Sequence, residues 1–177
     1  MLQISKSPIC SVALMVALSW GSLLDAQQTK AQPTEAAPLP IQIVSAKKIF
    51  ISNASVEGSS LPTSQLPDDP NRAYQEFYAA IKNWGRYELV NTPADADLVF
   101  EIRFASPVVG CEKICTYDPQ FGLTILDVKT HFTLWTLTQP IEHANRKATA
   151  DKNFSQGMTN LMASLKKLMD QPDAATK

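Results

Sequence analysis

The chain predicts an α+β fold, an α/β sandwich in which a mixed sheet of about five strands carries two amphipathic helices packed mainly on one face. Three observations lead there. Leu98, Phe100, Ile102 and Phe104 alternate with Val99, Glu101 and Arg103, which is the period of a half-buried strand. Two other stretches repeat apolar residues at steps of three and four: Tyr74, Phe77, Ile81 and Trp84, then Phe154, Met158, Leu161, Met162, Leu165, Leu168 and Met169. A single sheet with one apolar face needs helices to cover it, and these two stripes supply the cover.

Taken in order, Ile41 to Ser52 reads as a first strand, and the successive apolar residues Ile49, Phe50 and Ile51 suggest burial on both faces, as in a central strand. Gly58, Ser59, Ser60, Pro62 and Pro67 then make a loop. Asp69-Pro70 opens the first helix, with Asp69 as cap and Pro70 in the first turn, and Gly85 stops it. Tyr87 to Asn91 is a short strand, broken by Thr92-Pro93 before the alternating strand from Leu98. Glu101 and Arg103 share the more solvated face of that strand and are candidates for a surface ion pair. Ser106 to Gln120 reads as a long connection. Gly122 to Val128 and His131 to Ile141 form a hairpin whose turn starts at Asp127, a residue able to bond its own backbone. Apolar residues on both alternations of the return strand, Phe132 and Leu134 against Trp135 and Leu137, place it inside the sheet or under a helix. The last helix runs from about Asp151 to Asp170, with Lys166 and Lys167 in its final turn and Pro172 beyond it. The pattern is β-α-β-β-β-β-α.

The amino terminus carries an address. Lys6 precedes an apolar stretch, Ile9 to Leu24, which is shorter than the roughly 20 residues needed to cross a bilayer and ends at the small residue Ala26. Residues 1–26 read as a secretory signal peptide, with an uncleaved anchor as the alternative. Residues 27–40, with Pro33, Pro38 and Pro40, read as a disordered linker, 41–170 as a single α+β domain and 171–177 as a disordered tail. The whole chain has 16 basic and 17 acidic residues; cleavage removes one Lys and one Asp and leaves the net charge at -1. So small a charge offers no electrostatic footprint for nucleic acid, and no stable membrane insertion is expected once the signal is removed.

Cys10 leaves with the signal, whereas Cys111 and Cys115 stay, and in an exported chain that pair reads as a disulfide. A metal site with His131 or His143 is the competing reading, disfavoured because neither histidine has a partner at ligand spacing. Reduced thiols in a flexible loop are the third. Loops of this length inside a compact domain are often functional, so Glu112, Lys113, Ile114, Tyr117 and Phe121 form the candidate binding loop.

No phosphate loop, Gly-x-Ser-x-Gly elbow, His-Glu-x-x-His or Asp-rich calcium loop is present, and no catalytic residue, metal or cofactor is expected. His131 and His143 read as turn and surface residues. Asp95 reads as a turn or cap residue and Asp97 as the flank of a strand. Asn53-Ala-Ser and Asn153-Phe-Ser match the glycosylation triplet, and neither is given a role.

Ala94-Asp-Ala-Asp-Leu-Val-Phe100, the hairpin Leu123-Thr-Ile-Leu-Asp-Val-Lys-Thr-His-Phe-Thr-Leu-Trp135 and the closing amphipathic helix resemble a group of uncharacterised bacterial exported proteins. A more distant resemblance is to small envelope domains: the amino-terminal domain of the translocation protein TolB and the periplasmic lipoproteins that activate cell-wall synthases. The resemblance implies helices on one side of a mixed sheet and a role through contacts instead of catalysis. It transfers no functional residue. Cys10 stands too early to be a lipidated residue after cleavage, which departs from the lipoprotein pattern and favours a soluble periplasmic protein.

The function expected is therefore that of an exported, non-enzymatic envelope protein, periplasmic or else secreted, which binds an unidentified envelope protein through a sheet edge or the Cys111 to Cys115 loop. The alternative is a periplasmic small-ligand carrier using aromatic residues near Trp84 or Trp135. A hydrolase using His131 or His143 comes third.

Overall fold

The computed structural model describes residues 37–57, 68–113 and 115–170. The signal peptide, most of the linker, the loop at 58–67 and the tail at 171–177 lie outside the described residues. The elements are α1 (Ile41–Ser45), β1 (Lys48–Glu57), α2 (Arg72–Trp84), β2 (Glu88–Leu89), a 3-10 turn (Pro93–Asp95), β3 (Leu98–Ala105), β4 (Val108–Cys111), β5 (Cys115–Tyr117), β6 (Gln120–Asp127), β7 (Thr133–Pro140) and α3 (Lys147–Met169).

Five strands make a mixed sheet in the order β2-β1-β3-β6-β7, so the fold is α+β. β1 runs parallel to both β2 and β3, while β3, β6 and β7 form an antiparallel meander. Helices α2 and α3 pack against each other, α2 over β1 and β3, α3 over β6 and β7. The face beneath them holds Ile49, Ile51, Leu98, Phe100, Ile102, Phe104, Phe121, Leu123 and Ile125, all buried. On the other face Phe50, Val99, Glu101, Arg103, Thr124 and Leu126 are half-exposed. Both helices therefore cover one side of the sheet, and Glu101 and Arg103 share the other, more solvated side as expected.

Several boundaries moved for identifiable reasons. The expected first strand from Ile41 is a single helical turn, closed by Ile43 N–H donating to the Pro40 carbonyl at 2.9 Å, and the strand starts only at Lys48. Ile41 and Ile43 looked like strand alternation, yet only Ile43 is buried while Ile41 is 67% exposed. Pairing with β3 then continues past Ser52 to Glu57 through an irregularity between Asn53 and Val56. The first helix begins at Arg72 with Asn71 as its cap residue, two positions later than the Asp69-Pro70 signal suggests. Asp69 still organises that start, because its carboxylate accepts from Asn71 N–H at 2.7 Å and from Gln75 at 2.9 Å. Gly85 ends the helix with φ 68°, the left-handed conformation that glycine adopts without strain.

The return strand of the hairpin, β7, is an edge strand under α3, not an internal one. Its double apolar alternation comes from a bulge: Leu126 opposes Thr133 and Ile125 opposes Trp135, so the extra residue Leu134 turns toward the core together with Trp135 and Leu137. The closing helix starts at Lys147, one turn earlier than the apolar stripe shows, because its first turn is polar and exposed.

The two helices run parallel and are tied by Arg72. Its Nε donates to Glu76 at 2.8 Å, its Nη1 pairs with Asp151, its Nη2 reaches the Asp151 carbonyl and Ser155 Oγ at 3.2 Å, and its guanidinium lies 4.3 Å from the Phe154 ring centre. No helical period announces such a contact.

Candidate interaction surface

After β3 the chain leaves the main sheet at Ser106-Pro107 and folds back as a two-stranded ribbon, β4 with β5. Asp118 N–H donates to the Pro107 carbonyl at 3.0 Å and closes the base. Above it Val108 opposes Tyr117, Gly110 opposes Thr116 and Cys111 opposes Cys115, with Val109 as the bulged extra residue. The expected long connection is thus a ribbon. Short-range pattern missed it because no element in it buries a face: every described residue from Val108 to Thr116 is exposed.

A disulfide joins Cys111 and Cys115 across the ribbon tip. Of the five candidate loop residues, Glu112 and Lys113 stand exposed at this tip, and Ile114 lies outside the described residues. Tyr117 is half-buried at the base and leans on the core. Phe121 is a correction: it is 0% exposed on β6, its ring centre 4.7 Å from that of Phe154, and it belongs to the core. Its position just after the loop concealed the period-two pattern with Leu123 and Ile125. The apolar surface of the ribbon comes instead from Val108 and Val109, 51% and 61% exposed.

Closing so small a ring removes little denatured-state entropy, on the order of 2 kcal/mol in the chain-entropy model. Reduction of the disulfide should therefore lower unfolding stability by roughly 2 kcal/mol or less while leaving the far-ultraviolet circular dichroism unchanged. Collapse of the spectrum on reduction would show instead that the ribbon holds the sheet together.

The other chemistry-bearing residues stand apart from the ribbon. Asp127 builds the hairpin turn: its carboxylate accepts from Thr130 Oγ1 at 2.6 Å and from Thr130 N–H at 3.0 Å, while His131 takes φ 59° in the same turn. His143 lies past β7, beside a cavity of only about 30 Å³ that it lines with Phe104, Ile141 and Phe154. Asp95 accepts from Thr92 Oγ1 at 2.7 Å inside the 3-10 turn. Among the described residues no three His, Cys, Asp or Glu side chains gather as a metal site would require.

Asp97 does more than flank a strand. One of its oxygens accepts the N–H groups of Lys47 and Lys48 at 2.8 and 2.9 Å, pinning the start of β1 to the start of β3. These two backbone donors hold its carboxyl below the usual carboxylate range. A carboxyl depressed in the folded state adds stability above its unfolded value and loses it as pH falls through the folded one. Asp97→Asn should thus be less stable than the parent near neutrality, with the difference closing as pH falls through and below the ordinary carboxylate range. Urea titrations across that range test it; a gap that stays constant would remove Asp97 from the acid response.

A groove of about 580 Å³ separates α2 from α3 on the side away from the sheet, walled by Glu76, Ala79, Asn83, Ser155, Thr159 and Lys166. Trp84 is not part of its wall, but the Nζ of Lys166, which is, lies 5.7 Å from the Trp84 ring. Trp135, the other tryptophan considered, is half-buried beneath α3 and does not reach this groove.

No family model matches the chain, and no curated protein matches its sequence. Several solved structures are distantly similar to this chain. A DUF330 protein from Xanthomonas campestris is 14% identical, covering 74% of this chain and 85% of its own, with TM-score 0.42. The C-terminal domain of LpoB from Salmonella enterica is 14% identical over 55% of this chain and 83% of that one, with TM-score 0.36. A lipoprotein from Neisseria meningitidis is 10% identical over 67% and 99%, with TM-score 0.37. At these identities and TM-scores none of them lends this chain a function. Among the described residues no helix is long and apolar enough to cross a membrane.

Proposed function

We propose that this chain is an exported envelope protein that acts by binding another protein and catalyses no reaction itself, with the β4–β5 ribbon as its contact surface. The observation that carries this reading is the ribbon: a disulfide-closed hairpin that stands off the main sheet and presents Val108, Val109, Glu112 and Lys113 to solvent. Adjacent exposed valines on a preshaped strand lose little conformational freedom on binding, which favours contact over catalysis. The leader-like amino terminus and a disulfide of the kind that persists in oxidising compartments both support export, to the periplasm or beyond the cell.

A photoactivatable residue at Val109 tests the reading in the native host. It should yield a discrete crosslinked product, absent with the same group at exposed Lys152 and lost in the Cys111→Ser/Cys115→Ser variant. Equal products from both sites would sink the ribbon. Intact mass of the recovered protein checks export: a chain beginning near Gln27 with no alkylatable thiol before reduction is expected.

The helix groove favours a second reading, a small-ligand carrier, because its volume falls in the range of ligand pockets. Trp84, whose ring lies 5.7 Å from the lining residue Lys166, makes the test direct. Ligand binding there should quench tryptophan fluorescence in a saturable way, and flat titrations against a ligand panel would remove this alternative.

A further inference from the structure

The two edges of the main sheet are finished differently. On one side β2 is two residues long and carries Glu88, which pairs with Lys48 at 3.6 Å; shortness and charge are common ways of protecting an edge. On the other side β7 has eight residues, Thr-Leu-Trp-Thr-Leu-Thr-Gln-Pro, without a single charge. Among the described residues no strand pairs with its outer side. A long, uncharged edge rich in β-branched and aromatic residues is a template for another strand.

The hydrogen-bond parity of this edge follows from its two ends. Asp127 N–H donates to the Phe132 carbonyl at 3.0 Å, and Ile141 N–H donates to the Pro119 carbonyl at 2.8 Å. By alternation along the ladder, Trp135, Leu137 and Gln139 bond inward to β6, and Thr136 and Thr138 turn their N–H and C=O groups outward. The bulge at Leu134 and the missing N–H of Pro140 delimit the regular run to residues 135–139, whose centre is Leu137.

We propose that β7 pairs antiparallel with β7 of a second copy of this chain, joining two five-stranded sheets into one across a two-fold axis at Leu137. This inference needs neither the ribbon nor export. Leu137 then opposes its own copy, Thr136 and Thr138 exchange main-chain hydrogen bonds with Thr138 and Thr136 of the second copy, and Trp135 opposes Gln139. The arrangement is self-complementary, as a two-fold interface requires. Charge selects the second copy as occupant. The strand itself brings no like charges together, and its antiparallel course sets the turn end of one copy, with exposed Lys129, beside the Pro140 end of the other, with exposed Glu142. The uncharged strand therefore meets its own copy without like-charge repulsion.

Sedimentation of the full-length chain over a range of concentrations should show a species of twice the chain mass that dissociates on dilution. Thr136 and Thr138 are exposed, so Thr136→Lys/Thr138→Lys should keep the fold and melting temperature while placing Lys opposite Lys in both pairs and leaving a monomer. Crosslinking keeps the idea falsifiable should that variant fail to fold. In a Cys10→Ser background, a mixture of Thr136→Cys and Thr138→Cys chains should form disulfide-linked dimers several-fold faster on mild oxidation than either chain alone. A full-length chain that stays monomeric at every concentration would overturn the proposal, as would a dimer indifferent to the two lysines or equal crosslinking by the separate chains.

Discussion

Phe121→Ala is expected to lower the unfolding free energy by about 3–5 kcal/mol, the range for removing a large ring from a packed core. Phe121 is fully buried where β6 meets α3, and it belongs to a triad with Phe104 and Phe154. The rings of Phe121 and Phe154 meet edge to face at 82°, the geometry in which an aromatic pair adds attraction beyond area alone. Little can move in to fill the space. On the α3 side the neighbour is Gly157, which has no side chain to swing inward, and strand pairing on both flanks of β6 holds the backbone. Phe132→Ala makes the control, because that ring is 71% exposed and its loss should cost under about 0.5 kcal/mol. Chemical denaturation of the two variants separates them. Similar losses at both sites would mean that the triad is not the packed centre described.

Gly157→Val is expected to destabilise by about 2–3 kcal/mol, with Gly157→Ala close to neutral. A Cβ at this position would lie 3.0 Å from Ile141 Cγ1 and 3.2 Å from the Phe121 ring, closer than carbon atoms normally approach. Alanine sets that squeeze against the better helix propensity it has over glycine, about 1 kcal/mol, and the two effects oppose each other. Valine adds branches in a place where only a shift of α3 or of the strands beneath it makes room. The pair of variants reads the seating of α3 on the sheet directly. Valine as stable as the parent would mean that α3 sits farther from β6 than the structure has it.

These two positions also show how far the chain could be read without its structure. The stripe from Phe154 to Met169 was legible because burial on one face of a helix repeats every three to four residues. All seven of its apolar residues are buried. Gly157 was invisible in that reading, since a glycine has no hydropathy to contribute and its role is the closeness of something else. Arg72 was equally silent, because its partners Asp151 and Ser155 stand about 80 positions away in the chain. In the candidate surface the cysteine pair and the exposed tip residues Glu112 and Lys113 were legible. Phe121, assigned to the loop by proximity, and Val108 and Val109, passed over as connection, were not.

What the sequence by itself determined is the class of the fold, its main strands and long helices, and the segment set apart by two cysteines, because each depends on local periodicity or on neighbours within a few residues. Tertiary structure alone decided the strand order, the edge position of β7, the clamp of Asp97 on the start of β1 and the departure of the ribbon from the main sheet. Those features rest on contacts between residues distant along the chain. A hydrophobic period states that a face is buried, not which partner buries it.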